Sequence, residues 1–333
     1  MKNTIKLFCC FILTSSIILT KGYCWGAWGH THINRAAILS LPAEMRTFFY
    51  NHADFITEGA VVPDLRRGVL NDKTEGYKHF IDLEDFKVNS VDDLPRTPKD
   101  ALNKYDSAFL QKGGILPWHI QIMMEKLTQA FKKRNKSEIL FIAAELGHYV
   151  ADAHVPLHTS SNHDGQLTNQ KGIHAFWESK LPETFGNTFN FNGGEARFIN
   201  NTTEQIFSII KTSHQLVDIL LLTEKQVHQS FPANELYMKD SSGQIIKMYN
   251  QPVYSNAYAA KYYQSLHGMI DHQMNSSIAD LSSLWFTAWV NAGKPELTSL
   301  DDPSITKANR KNFKKEYKNY KKGISTKLKT DRG

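Results

Sequence analysis

A helical periodicity in the middle of the chain most constrains its fold. Apolar residues recur at three- and four-residue spacing through residues 138–152, and Pro156 follows shortly afterwards. The pattern predicts a helix that ends before the proline. His148 and Asp152 are four residues apart, so both point to the same face of this helix. An imidazole and a carboxylate placed in this way are within reach of one metal ion.

Helical patterns extend over most of the remaining chain, whereas alternating strand patterns with hairpin turns are scarce. We therefore predict an all-α fold, a single mainly helical domain with long polar loops near residues 159–173 and 230–253. The further predicted helices span residues 30–49, 116–133, 174–182, 203–228, 254–273 and 275–292.

The first 24 residues have the pattern of a secretory signal peptide. Lys2 and Lys6 form a basic start, residues 7–19 an apolar run, and residues 20–24 a more polar exit. The run of about 13 apolar residues is shorter than the roughly 20 that a membrane-spanning helix needs, and we identify no longer or more apolar segment after it. We therefore predict a soluble mature protein that is secreted or periplasmic.

Small residues at Gly22 and Cys24 predict that the leader is cleaved directly before Trp25. All three cysteines of the chain, Cys9, Cys10 and Cys24, then leave with the leader. Because the mature chain holds no thiol, its stability must come from a packed core rather than from disulfides. Thiolate is likewise excluded as a metal ligand.

The net charge is unevenly distributed along the chain. The total is +6, the predicted leader carries +3 and residues 301–333 carry +7, which leaves −4 for residues 25–300. A pI near 9.0 therefore reflects the two ends and does not indicate a basic nucleic-acid cleft. We divide the chain into a leader at 1–24, a helical domain at 25–300 and a basic tail at 301–333. The tail is interpreted as a solvated or frayed helix, with contact to nucleic acid or anionic lipid as the alternative.

A second His/carboxylate pair has the same four-residue spacing. His174 and Glu178 repeat the pattern of the first pair, and His158 lies between the two pairs in the sequence. Asp64 and His79 form a further group upstream. Each pair taken singly is compatible with a surface hydrogen bond. Together they indicate zinc binding, because imidazole and carboxylate are the ligands of zinc sites with open positions.

The predicted N-terminus of the mature chain supplies another ligand group. In the stretch CWGAWGH, cleavage before Trp25 exposes a free amine. This amine and the neighbouring carbonyl oxygen make a five-membered chelate ring on a metal, and His30 follows about one helical turn later. The predicted cleavage site and the predicted metal site therefore depend on each other.

These residues resemble the ligand set of the trinuclear zinc phosphodiesterases. That superfamily comprises the single-strand-specific nucleases of fungi and plants and the zinc-dependent phospholipases C of bacteria. The resemblance covers residues 25 to about 295 and implies a cleft that holds three Zn²⁺ ions. The matches to the ligands of the first ion are Asp64, His79, His148 and Asp152, of which Asp152 bridges to another ion. The matches for the second ion are His158, His174 and Glu178, and those for the third are Trp25 and His30.

The resemblance is closest to the nucleases at the N-terminal motifs, and it implies roles for further residues. Phe80 and Asp82 match the residues that stack on a base and accept hydrogen bonds from it. Arg67 matches the arginine that neutralises the scissile phosphate. Asp64 and Asp152 are expected to take part in catalysis while they serve as ligands. The implied reaction is the metal-assisted hydrolysis of a phosphate ester.

Three departures from the nuclease pattern keep other functions open. Glu178 matches phospholipase C, where the nucleases usually have Asp, the loop between residues 158 and 174 is shorter than in the fungal nucleases, and the cysteines of their disulfides are missing. We predict a secreted zinc-dependent hydrolase, an endonuclease of single-stranded DNA and RNA with 3′-nucleotidase activity. One alternative is a phospholipase C that acts on phospholipid headgroups. The other is a non-catalytic, metal-stabilised surface-binding protein. No obligate protein partner is evident, and we expect a monomer.

Overall fold

The computed structural model describes residues 26–248, 251–328 and 331. The predicted leader and Trp25 lie outside these described residues. Helices dominate the described chain, and its one sheet is an antiparallel pair of two-residue strands, β1 (Lys247–Met248) and β2 (Gln251–Pro252), with Lys247 opposite Pro252. The predicted all-α, mainly helical fold is confirmed.

The α-helices of the described residues are, in chain order, α1 (Gly26–Ser40), α2 (Ala43–Asn51), α3 (Ala53–Gly59), α4 (Val62–Gly68), α5 (Pro98–Lys104), α6 (Ser107–Gly113), α7 (Leu116–Lys133), α8 (Lys136–Ala153), α9 (Ile173–Ala175), α10 (Leu181–Phe185), α11 (Thr202–Gln215), α12 (Val217–Ser230), α13 (Asn256–Ser265), α14 (Met269–Asn291) and α15 (Pro303–Tyr320). Short 3₁₀ turns, among them Gly76–Lys78 and Pro156–Thr159, connect several of them.

Helix α8 lies at the centre of the molecule, in contact with α1, α3, α7 and α14. Its apolar face joins the hydrophobic core, and the indole of Trp285 on α14 donates a hydrogen bond of 3.1 Å to the Ala143 carbonyl oxygen on α8. Most of the helix is therefore shielded from water, including the turn that carries His148 and Asp152. Polar side chains on such a helix need partners.

A close approach between α1 and α8 decides where these polar residues lie. A Cβ atom at Gly147 would come within 2.0 Å of the Oδ1 atom of Asn34 on α1, so only glycine fits there without a shift. The Asn34 amide donates hydrogen bonds to backbone carbonyl oxygens of α3 and α8, at 3.1 and 3.0 Å. This contact brings the imidazole of His148 against that of His30, with ring centroids 3.9 Å apart.

Several predicted helix boundaries are wrong. The predicted helix at 30–49 is two helices, because Pro42 lacks the N–H that would continue α1 and instead precedes α2 as its N-cap residue. The predicted helix at 203–228 divides at Leu216 into α11 and α12. The predicted break at residue 274 falls earlier, at Gly268, whose φ of +81° is a conformation that favours glycine. The short helices α3 to α6, of seven residues each, show no clear sequence period and were not expected.

Residues Thr202–Ser230 are the one stretch of the described chain with the length and apolar composition of a membrane span. Of the apolar 18-residue segment within it, 44% is buried. The expectation that no longer apolar segment follows the leader is therefore wrong. The stretch is α11 followed by α12, and Ile206, Phe207 and Leu220 on it belong to the hydrophobic core. Packing in a protein core produces the same composition as a membrane span.

The basic tail forms helix α15, which packs against α1 and α2. Glu316 and Tyr320 on α15 are buried. The interpretation of the tail as a solvated or frayed helix therefore applies only to its outer face.

Candidate metal centre

Four ligand-type side chains from three parts of the chain meet near the C-terminal end of α8. Asp64 lies in the first turn of α4, His79 follows the Gly76–Lys78 turn, and His148 and Asp152 come from α8. The Nε2 atom of His148 is 3.0 Å from His79 Nδ1 and 3.9 Å from Asp64 Oδ1. The Oδ2 atom of Asp152 is 2.9 Å from His79 Nδ1 and 3.3 Å from His148 Nε2. Two imidazoles and two carboxylates around one point form a donor set that zinc prefers.

The orientation of His148 is set by the backbone. Its Nδ1 atom lies 2.8 Å from the Ala60 carbonyl oxygen. Because a carbonyl oxygen only accepts hydrogen bonds, Nδ1 carries the proton and Nε2 turns its lone pair towards Asp64 and His79. This is the tautomer that a metal ligand needs.

His30 and Asp152 extend the same centre on its other side. His30 is fully buried, and its Nε2 atom is 3.5 Å from Asp152 Oδ1. Asp152 therefore directs one carboxylate oxygen towards His79 and His148 and the other towards His30, as a bridging ligand does. Burial lowers the pKa of His30 well below its ordinary value. The neutral imidazole that results has a free lone pair.

A second cluster consists of His158, His174 and Glu178. The Oε1 atom of Glu178 is 3.1 Å from His174 Nε2, and its Oε2 atom is 3.3 Å from His158 Nε2. Both histidines donate their Nδ1 protons to backbone carbonyl oxygens, His158 to His79 and His174 to His163. Both Nε2 atoms thus face Glu178. Residues Phe176–Lys180 form a π-helical turn rather than part of the predicted regular helix, and such turns are frequent at functional sites.

The buried polar atoms of these clusters fit bound cations. Within the described residues, no hydrogen-bond partner exists for either ring nitrogen of His30, for Asp152 Oδ1, for the Nε2 atoms of His158 and His174, or for either carboxylate oxygen of Glu178. A buried polar group without a partner costs about 1–3 kcal/mol, and a charged group costs more. Zinc ions coordinated by these atoms would remove that cost. Three groups of ligand atoms within 4.8 Å of one another are His30/His148/Asp152, Asp64/His79/His148 and His158/His174/Glu178.

Arg67 lies at the edge of the first cluster. Its Nη2 atom is 3.0 Å from Asp64 Oδ1, one turn earlier on α4, and its side chain is 30% exposed. A guanidinium that is held by a ligand carboxylate and is partly open to solvent can meet an anionic group that enters from outside.

Residues 79–82 form a segment that two backbone hydrogen bonds tie to the rest of the fold. The Ile81 amide donates to the His158 carbonyl oxygen at 2.9 Å, and the Asp82 amide donates to that of Gly113 at 2.8 Å. Phe80 is half-buried. Burial, followed by the charges of Asp85 and Glu84, raises the pKa of Asp82 to about 7. The ligand His79 and the predicted base-contacting residues Phe80 and Asp82 are therefore held on one short segment.

The sequence patterns did not identify Glu75, which lies directly behind the first cluster. Its buried carboxylate is 3.5 Å from His79 Nε2, the nitrogen that faces away from Asp152. Glu75 also accepts a hydrogen bond from the Tyr149 hydroxyl and forms ion pairs with Lys78 and Arg66. Burial opposes ionisation of Glu75, but these partners, beginning with His79, hold its pKa far below the ordinary value. The signal was present, because Glu75 precedes His79 by the same four-residue spacing that marked the other pairs.

A helical fold with buried clusters of zinc-type ligands and an arginine at their edge defines a metal-dependent hydrolase. The family model described as S1/P1 Nuclease matches residues 25–284. The chain therefore belongs to the S1/P1 nuclease family, and it is a nuclease-type, zinc-dependent hydrolase of phosphodiester bonds with nucleic acid as its substrate. The predicted superfamily and enzyme class are confirmed. A comparison with curated proteins finds no match.

Proposed function

We propose that the protein is a secreted endonuclease that cleaves single-stranded DNA and RNA and also has 3′-nucleotidase activity. The observation that carries the proposal is the segment 79–82, on which one metal ligand is followed directly by an aromatic ring and a carboxylate. Aromatic stacking accepts any base, and it requires a base that is not already stacked inside a duplex. A single strand meets that requirement, so strand preference follows from Phe80.

The proposed centre holds three zinc ions. We assign Asp64, His79, His148 and Asp152 to the first, with Asp152 shared, and His158, His174 and Glu178 to the second. His30 and the amine and carbonyl oxygen of Trp25 are assigned to the third. Trp25 lies outside the described residues, so its part rests on the predicted cleavage of the leader. The same leader supports the proposed secretion.

We assign two roles to the residues around the proposed centre: some contact the substrate, and others hold the metal ligands in position. Bound zinc supplies Lewis-acid polarisation of a phosphoryl oxygen and an acidified water. Arg67 binds an equatorial phosphate oxygen, where negative charge grows in the transition state. Phe80 stacks on the base beside the scissile phosphate, and Asp82 accepts hydrogen bonds from its edge. Asp64 is held by Arg67 and so keeps its lone pairs directed into the centre.

Turnover of four substrates tests the proposal. The mature protein should hydrolyse single-stranded DNA, RNA and a 3′-nucleotide, and a chelator should abolish all three activities. Replacing Phe80 by alanine should lower kcat/KM for single-stranded DNA by about 10-fold to 100-fold, because stacking on an aromatic side chain contributes about 1–3 kcal/mol per base. Phe55→Ala, which removes an exposed ring on α3, is the matched control and should leave turnover unchanged.

Phosphatidylcholine is the fourth substrate, because Glu178 favours the phospholipase alternative. Release of phosphocholine without cleavage of nucleic acid would contradict the proposal. Equal cleavage of duplex and single-stranded DNA would contradict the role of Phe80.

We assign Glu75 a positioning role towards His79. A carboxylate that accepts the second ring proton of a ligand histidine fixes its tautomer and raises its basicity, and loss of such a partner costs about 10-fold to 100-fold in metal affinity. Glu75→Gln should therefore weaken zinc binding by that factor, as measured by competition with a chromogenic chelator.

Glu145→Gln is the matched control, since Glu145 is a buried carboxylate that also pairs with Arg66, at 2.7 Å. It should lower stability without a change in zinc affinity. Equal zinc affinities for Glu75→Gln and the wild type would show that Glu75 acts only in the fold.

A further inference from the structure

The basic residues of α15 lie on one side of the helix. At 100° per residue they fall within an arc of about 140°, and Glu316 lies on the opposite side. The six cations within α15 are Lys307, Arg310, Lys311, Lys314, Lys315 and Lys318. Two more, Lys321 and Lys322, follow the helix directly, and all eight side chains are exposed. We call the exposed side that these eight cations form the basic face of α15.

The opposite side of α15 is anchored, so the orientation of the basic face is fixed. Glu316 accepts hydrogen bonds from Arg35 on α1, at 2.6 and 2.8 Å, and from the Tyr50 hydroxyl on α2, at 2.7 Å. Tyr320 is hydrogen-bonded to Ser40 on α1. Because the guanidinium and the carboxylate of this pair are both largely buried, rotation of the helix would leave charges unpaired in the interior.

The cations of the basic face are not neutralised by neighbouring carboxylates. In the described part of residues 301–331, the ion pairs use Asp301, Glu316 and Asp331, each with a partner elsewhere in the chain, and none uses a cation of the basic face. The main body, residues 25–300, has a net charge of −4. The basic face is therefore a local positive surface on an otherwise acidic molecule, and it is available to a polyanion.

A bilayer is the less suitable partner for this face. Helices that lie in a membrane interface insert apolar side chains. The large apolar side chains Phe313 and Tyr317 of α15 pack against the protein core instead. What the basic face offers is charge alone, over a helix about 27 Å long, and this suits the repeated phosphates of a nucleic acid strand.

We propose that the basic face of α15 binds the phosphate backbone of single-stranded nucleic acid outside the metal centre. This inference rests on the proposed function, in which such a strand is the substrate. The helix lies beyond residue 284, where the family match ends. Its consequence is tighter binding of long strands, with no effect on small phosphodiesters.

The test replaces Lys311, Lys314, Lys318 and Lys322 by glutamine in the full mature chain. Binding of a labelled 30-nucleotide phosphorothioate single strand, which keeps the backbone charge and resists cleavage, is measured by fluorescence anisotropy on the zinc-loaded protein. The Kd should rise at least about tenfold, and the slope of log Kd against log salt should fall by about 3, since each neutralised phosphate of a single strand contributes about 0.7. Hydrolysis of bis(4-nitrophenyl) phosphate by the zinc-loaded enzyme should not change.

The matched control carries the same charge change elsewhere, with glutamine in place of the exposed lysines Lys126, Lys132, Lys133 and Lys225. It should bind the strand nearly as the wild type does. Equal Kd values for the two quadruple variants would overturn the proposal. The proposal would also be overturned if the α15 quadruple variant lost the wild type's binding to phosphatidylglycerol vesicles but bound the strand as tightly as the wild type does. Because binding is measured without catalysis, a protein that binds the strand through α15 but cleaves no nucleic acid would refute the proposed function and not this inference.

Discussion

Asp152→Asn is expected to reduce kcat/KM for single-stranded DNA by about 10³-fold or more. Asp152 directs one oxygen towards His79 and His148 and the other towards His30, and an asparagine amide offers a lone pair on only one of these sides. The variant should therefore lose at least one zinc ion. A metal ion in such a site contributes several kcal/mol to the transition state, and about 4 kcal/mol corresponds to a factor of 10³.

Metal content by mass spectrometry and turnover of single-stranded DNA are measured on the same preparation. Asp218→Asn is the control, because Asp218 is an exposed carboxylate on α12, and both readouts should match those of the wild type. If Asp152→Asn retained the full zinc content and more than a tenth of the activity, the bridging role would be wrong.

One extra residue before Trp25 is expected to remove the third zinc ion and most of the activity. An added alanine converts the terminal amine into an amide, which is no longer a ligand. Gly26 is buried at the start of α1, and His30, one turn later on the same face, has no hydrogen-bond partner for either ring nitrogen. His30 alone then faces Asp152. Loss of several kcal/mol of metal assistance predicts a fall of about 10²-fold or more.

The comparison uses mature protein that begins at Trp25 and protein that begins with one added alanine. Circular dichroism should give the same helical spectrum for both, while zinc content falls from three ions to two. A variant with the alanine added after Gly333 serves as the control and should keep three ions. Full activity of the N-terminally extended protein would refute the assignment of Trp25.

Local patterns were sufficient to predict much of this structure. Helix α7 has the predicted bounds of 116–133, because its apolar spacing is regular and Pro117 lies in its first turn, where proline is tolerated. The boundaries at Pro42 and Gly268 were missed, although both residues interrupt helices for known reasons. Apolar periodicity continues across a helix break when both helices bury the same side, so periodicity alone did not mark these boundaries.

By itself, the sequence determined which residues are paired within a turn and which chemistry they favour. His148 with Asp152 and His174 with Glu178 are local pairs, set by the pitch of a helix or a helical turn. Only the tertiary structure decided that these pairs, Asp64 and His79 converge, and that Glu75 supports His79 from behind. The reason is that convergence depends on how closely helices approach. At Gly147 that approach is decided by the space of one missing side chain beside Asn34.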